Sequence, residues 1–296
     1  MGVDQAVIST DEIGNGEKPY RYDPLLRLRN NFEDQGMEIA VMEGQLPITN
    51  ATRHGRPGRD EEIEKSIEFI SNVGKLGIPV ISYFWMDPTD WLRTNISLPT
   101  RGGALTTAYN HEQMERGPPL DGAPIREEAL WDNLEYFLER VVPVAEEAGV
   151  KLALHPDDPP LPSVRGIDRI IRSVEAYERV LEIYPSEANG ITFCQGNFAA
   201  MGVDIPETIR RLGDSIHFVH FRDVSGEAED FVEEFHDAGP TDMLAAMEAY
   251  RDIGFDGVMR PDHVPTMAGE KNENPGYETL GRLFAIGYMK GLQEHL

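Results

Sequence analysis

The sequence predicts one α/β domain folded as a parallel TIM-type (β/α)8 barrel, and three observations carry that prediction. Short β-rich runs alternate with amphipathic helical runs, the signature of parallel βαβ units. No glycine-rich fingerprint follows an early strand, which leaves the nucleotide-binding, doubly wound alternative without support. Reactive side chains stand instead at the C-terminal ends of several different strands, the habit of barrel enzymes.

The strand runs are Ile39–Met42, Val80–Phe84, Lys151–Leu154, Gly190–Phe193, Ile216–Phe221 and Gly257–Met259, with a weaker one at Ala6–Ile8. Between them, Ile63, Ile67, Ile70 and Val73 mark one face of a helix over Asp60–Leu76, stopped by Gly77. Leu130, Leu134, Phe137, Val141, Val144 and Ala148 do the same over Glu127–Ala148, which ends at Gly149. A third helix follows Gly239-Pro240-Thr241, with Thr241 as its N-cap and Gly254 closing it. Residues 1–36 read as an irregular or divergent first barrel unit, and 37–296 as a single catalytic barrel. Residues 86–125, rich in Gly, Pro and Thr, form a long connection of the kind that serves as a lid or substrate loop.

Composition narrows the function. A length of 296 residues with 40% hydrophobic content supports one large domain. No stretch approaches the roughly 18 unbroken apolar residues of a membrane span, and the first twenty residues lack the basic and apolar regions of a signal peptide. The net charge of -25 argues against nucleic acid or an anionic membrane as partner. It is dispersed along the chain, which fits either a salt-adapted source or an ordinary acidic cytosolic protein. The single cysteine excludes an internal disulfide and fits a reducing cytoplasm.

Four successive strand ends carry the chemistry. LALHPDDPP delivers His155, ITFCQGN delivers Cys194, IHFVHFRD delivers His220 and GVMRPDH delivers Asp262. In a parallel barrel these ends converge on one mouth. Two imidazoles, a thiolate and a carboxylate make a borderline-soft ligand set for a divalent first-row metal such as Mn²⁺, Fe²⁺, Co²⁺ or Zn²⁺. A lone buried cysteine or a lone strand histidine is by itself more often packing than a ligand. His217, three residues before His220, faces the other way by strand alternation and reads as structural. Asp157 and Asp158 are ligands, plain loop acids or, the favoured reading, orienters of the ligating histidines. Arg222 and Arg260 are candidates to grip a substrate carboxylate, with strand-end ion pairing as the alternative. His236 is either a substrate contact or a polar loop residue, and Asn197 is a further candidate contact. Tyr277 follows the Asp262 strand and is a general acid or base if a metal and cations lower its pKa; otherwise it packs.

The segments HPDDPP, FCQGN, VHFRDV, EEFHDAG, MRPDH and NPGY, in that order, resemble the signature segments of the D-mannonate dehydratase family. IAVMEGQLPI and ISYFWMDPTDWLRTNIS are similar to its second and third strand regions, so the resemblance covers roughly residues 36–290. It implies a xylose-isomerase-like barrel and a Mn²⁺- or Fe²⁺-dependent dehydration of D-mannonate to 2-keto-3-deoxy-D-gluconate. It places the metal ligands on His155, Cys194, His220 and Asp262, and the acid–base pair on His263 and Tyr277. It leaves open which of that pair is the base. The chain departs from the family in residues 1–36, which lack a clear counterpart of the usual first strand, and loosely in 101–125. A sugar isomerase or epimerase on the same barrel is the competing reading, but it calls for glutamates beside His155 or His220. Glu43 stands at one strand end with nothing glutamate-rich beside those histidines. A non-catalytic sugar-acid binder is the third reading, and a homodimer is the expected assembly.

Overall fold

Near-continuous apolar runs, buried on both faces, are what suit the strand runs to a parallel sheet covered by helices. The computed structural model describes residues 2–9, 13, 18–44, 46–87 and 91–296. Gln45 and Pro88, Thr89 and Asp90 of the segments quoted above, and parts of the first twenty residues, lie outside those described. In chain order the elements are β1 (Gln5–Ile8), α1 (Tyr22–Glu33), β2 (Glu38–Glu43), α2 (Asn50–Arg53), α3 (Arg59–Lys75), β3 (Val80–Phe84), β4 (Asn95–Pro99) and β5 (Leu105–Asn110). There follow α4 (His111–Met114), α5 (Glu127–Ala148), β6 (Lys151–His155), β7 (Ser163–Val164), β8 (Ile167–Asp168), α6 (Val174–Ile183), β9 (Asn189–Cys194) and α7 (Gln195–Ala200). The chain ends with α8 (Ile205–Leu212), β10 (Ile216–Phe221), β11 (Val224–Glu227), β12 (Asp230–Glu233), α9 (Met243–Asp252), β13 (Val258–Pro261) and α10 (Thr279–His295).

Seven of these strands form one parallel sheet in the order β1-β2-β3-β6-β9-β10-β13. They are the seven runs read from the sequence, Ala6–Ile8 among them. The sheet curls into a barrel that lacks an eighth strand, and among the described residues β13 does not pair with β1, which leaves a seam. Val41, Val80, Ala153 and Phe218 make a small apolar cluster of their own inside the curl. The main core lies outside it, between sheet and helices, where Phe69, Phe137, Leu154, Phe193 and Tyr250 are buried. The long helix α5 has the predicted bounds because Gly149 takes the left-handed conformation (φ 67°) that ends it.

Two expectations give way. Thr241 does not cap α9: its hydroxyl donates to Asp223 Oδ1 (2.7 Å), and Asp242 caps the helix by accepting from the Ala245 N–H (2.9 Å). Both residue types cap well, and the buried Asp223 decides between them. Residues 86–125 are also not a bare connection. They contain the β4–β5 hairpin, which joins β12 and β11 in a four-stranded antiparallel sheet of order β11-β12-β5-β4. A bridge between Leu105 and Thr266 ties this sheet to the loop that leaves β13. Among the described residues no helix is long and apolar enough to cross a membrane.

Candidate active site

Strand alternation builds the site in layers. One step beyond the inward Val41, Ala153, Thr192, Phe218 and Val258 come Glu43, His155, Cys194, His220 and Arg260, and two steps beyond Val258 comes Asp262. Parallel register sets His220 beside Cys194 and Arg260 beside His220. The ligand atoms of His155, Cys194 and His220 all lie within 4.8 Å of one another. Asp262 Oδ2 stands 3.7 Å from Cys194 Sγ and 3.6 Å from His220 Nδ1.

This donor set fits a divalent cation. His155 Nδ1 is 2.7 Å from the Pro156 carbonyl, to which it donates, so its Nε2 keeps the lone pair. His220 is buried, yet among the described residues neither of its nitrogens has a hydrogen-bond partner. Buried nitrogens without an aligned hydrogen bond are costly, and a cation facing them would take up the lone pair. Glu43 Oε1 lies only 2.6 Å from His220 Nε2 but out of line for a hydrogen bond. A glutamate therefore does stand beside His220, contrary to the sequence reading. Glu43 follows Val41 in the same two-residue step as the other strand ends, which is what carries it to His220.

Burial and local charge divide the ionisable groups. Burial brings His155 down to about 3, and Cys194 is pushed up by burial that Arg222 only partly offsets. A bound cation would reverse the balance at the thiol. Burial and Arg260 oppose charge on His220, but the carboxylates of Glu43 and Asp262 outweigh them and raise it. Burial alone would raise Glu43; Arg260 and His220 overcome it and bring Glu43 down to about 2.

A second cluster abuts the first. Arg222, almost wholly buried, places Nη1 3.0 Å from Asp262 Oδ2 and 2.7 Å from His263 Nδ1, and Nη2 2.7 Å from Asn197 Oδ1. It can thread there because residue 196 is glycine: a Cβ would fall 2.2 Å from Arg222 Nε. Arg93 pairs with Asp158 (2.8 Å) and with Glu233, and Glu233 Oε1 reaches His263 Nδ1 at 2.9 Å. Trp91 Nε1 lies 3.3 Å from the same nitrogen. On the far side, His263 Nε2 meets the Tyr277 hydroxyl at 2.8 Å. Burial lowers His263 and raises Tyr277, with Asp262 adding to the rise. Arg260 and Arg222 lower Tyr277 by less than burial and Asp262 raise it.

His155, His220, Arg222, Arg260, Asp262, His263 and Tyr277 line one cavity of about 790 Å³; Cys194 is wholly buried and does not line it. Asn197 and His236 do not line it: Asn197 holds Arg222 and the Asp157 carbonyl, and His236 Nε2 bonds the Phe221 carbonyl at 2.7 Å. Asp157 and Asp158 bond neither ligating histidine. Asp157 accepts from the Ile171 N–H, and Asp158 lies between Arg93 and Arg222. Trp91, Arg93 and Glu233 escaped the sequence reading. All three lay in quoted segments, Trp91 and Arg93 in ISYFWMDPTDWLRTNIS and Glu233 at the head of EEFHDAG, but carried no pattern of their own.

This geometry finds its match among known proteins. The sequence profile of the family described as D-mannonate dehydratase (UxuA) matches residues 1–120 and 122–296. The chain belongs to the D-mannonate dehydratase family. It is 35% identical to mannonate dehydratase 2 of Halalkalibacterium halodurans, over 91% of this chain and 86% of that protein. It is also 35% identical to the mannonate dehydratase of Streptococcus pneumoniae, over 91% of this chain and 81% of that one. The crystal structure of mannonate dehydratase from Streptococcus suis serotype 2 superposes with a TM-score of 0.87, covering 98% of this chain and 85% of that one at 35% identity. A D-tagatose 3-epimerase-like protein (TM-score 0.63, 19% identity) shares the barrel fold. The chain is thus a xylose-isomerase-like barrel enzyme of a hydro-lyase family, with a His–Cys–His cluster at its mouth.

Proposed function

We propose that the chain dehydrates D-mannonate to 2-keto-3-deoxy-D-gluconate, with Mn²⁺ or Fe²⁺ held by His155, Cys194, His220 and Asp262. The observation that carries this reading is the contact between those four donors and the His263–Tyr277 pair across one cavity. A cation there supplies Lewis acidity toward substrate oxygens. The chain's own groups handle the protons. With its Nδ1–H donating to Glu233, neutral His263 accepts the C2 proton at Nε2, the C2–H electrons form the C2=C3 bond, and the C3 hydroxyl leaves with a proton from Tyr277. The product enol then tautomerises to the 2-keto acid. The directions of the two pKa shifts favour this division of labour, imidazole as base and phenol as acid.

Arg222 and the Glu233 carboxylate hold the imidazole from behind, and Trp91 covers it from the cavity side. A free, unpaired thiol at the centre fits a reducing cytosol. The test is formation of a 2-keto-3-deoxy product from D-mannonate by protein loaded with Mn²⁺ or Fe²⁺ under reducing conditions. His263→Asn should lower kcat by about 10²- to 10⁴-fold while retaining metal. Absence of product from the wild type would sink the reading. Glu43 beside His220 lends the isomerase or epimerase alternative one carboxylate, and turnover of a ketose or aldose without loss of water would favour it.

A further inference from the structure

A sugar acid carries a carboxylate, and a protein of net charge -25 must meet it with a cation not already spent on its own acids. The two arginines suggested by the sequence are spent. Arg222 faces Asp158, Asp262 and Glu233, and Arg260 Nη2 lies 2.8 Å from Glu43 and 3.2 Å from Asp262. The cavity holds a third arginine.

We propose that Arg282 grips the substrate carboxylate and is the residue that selects acids over neutral sugars. The assignment rests on the dehydratase reading above and names the group that meets its substrate. Arg282 lies on α10, lines the same cavity, and has its guanidinium carbon 5.3 Å from the centre of the Tyr277 ring. That contact sets it beside the acid–base pair, where the carboxylate adjoining C2 must lie. Among the described residues its side chain has no hydrogen bond and no ion pair. Glu278, one helical turn earlier and at ion-pairing spacing, instead accepts from the Asn274 N–H at 2.7 Å. Arg282 stays exposed to the open cavity, yet partial burial and the neighbouring Arg260 still oppose its charge, and an incoming anion relieves both. As the C2 proton leaves, negative charge grows on the carboxylate oxygens, so the grip serves the transition state as well as binding.

The experiment compares wild type, Arg282→Gln and Arg282→Lys, each metal-loaded, with D-mannonate as substrate. Calorimetric titration of D-mannonate and of the neutral polyol D-mannitol is run on the same proteins carrying His263→Asn. Arg282→Gln should raise KM for D-mannonate by about 10- to 100-fold, lower kcat by less, and leave metal content and melting temperature unchanged. Arg282→Lys should recover part of the loss, and any mannitol affinity should be the same in all three. An unchanged KM in folded, metal-loaded Arg282→Gln overturns the assignment, as does a loss that follows metal content. Should wild type yield no product from D-mannonate, the dehydratase reading falls. Arg282 is then decided by calorimetry: weaker mannonate binding in Arg282→Gln keeps it, and equal or absent binding overturns it.

Discussion

The two halves of the site are built by different means. The half proposed to hold the metal stands on strands that are neighbours in one parallel sheet, each contributing a side chain by the same two-residue step. The half that holds His263 depends on an antiparallel sheet whose strands come from residues 95–110 and 224–233, bringing Arg93 and Glu233 together across 140 residues of chain. The first arrangement is repetitive and local; the second is singular and long-range. A scaffold with a repeated register can place several ligands at once, whereas a proton-handling residue is held by whatever unique contacts surround it.

Cutting each half should separate their functions. Cys194→Ala removes the buried sulfur from the donor ring; metal affinity is expected to fall by roughly 100-fold or more, and activity with it, measured by metal analysis after dialysis and by the mannonate assay. Full metal content in this variant would dissolve the distinction between the halves. Glu233→Gln keeps shape but strips the carboxylate from between Arg93, Arg222 and His263. It should lower kcat by about 10- to 100-fold and stability by about 3 kcal/mol, with metal retained. Denaturant unfolding and metal analysis together check that pattern.

That contrast also explains what the sequence could disclose. The seven barrel strands and the four ligand candidates were legible because apolar alternation and strand-end position are written in consecutive residues. Asn95–Pro99 and Asp230–Glu233 are short, largely exposed or polar, and stabilised by partners far along the chain, so no window of sequence contains their reason for pairing. The slip from Asp242 to Thr241 at the α9 cap has the same origin: Asp223, eighteen residues away, claims the threonine. Arg282 was passed over because an arginine on an amphipathic helix looks like a solvated one until its neighbours are known.

The smallest expected effect lies within the barrel itself. His217 shares β10 with His220 but bonds the Leu152 carbonyl at 3.1 Å, and burial brings it down to about 4 from the usual 6.5. The unfolded chain therefore binds the extra proton between those values, and stability falls as pH drops through that window. His217→Gln should lose about 1.5 kcal/mol less than wild type between pH 6.5 and 5, read by urea unfolding, with metal content and kcat unaffected. A pH response equal to that of wild type would remove His217 as a structural counterpart to His220.

Gly196 has a consequence for how this protein can vary. The guanidinium of Arg222 touches both Asp262 and His263, and its shaft occupies the space where any side chain at 196 would begin. A methyl group there would act on the ligand ring and the proton relay at once without belonging to either. Residues 196 and 222 are therefore epistatic: the harm of Gly196→Ala exists only while the arginine is present, so the two substitutions combine non-additively.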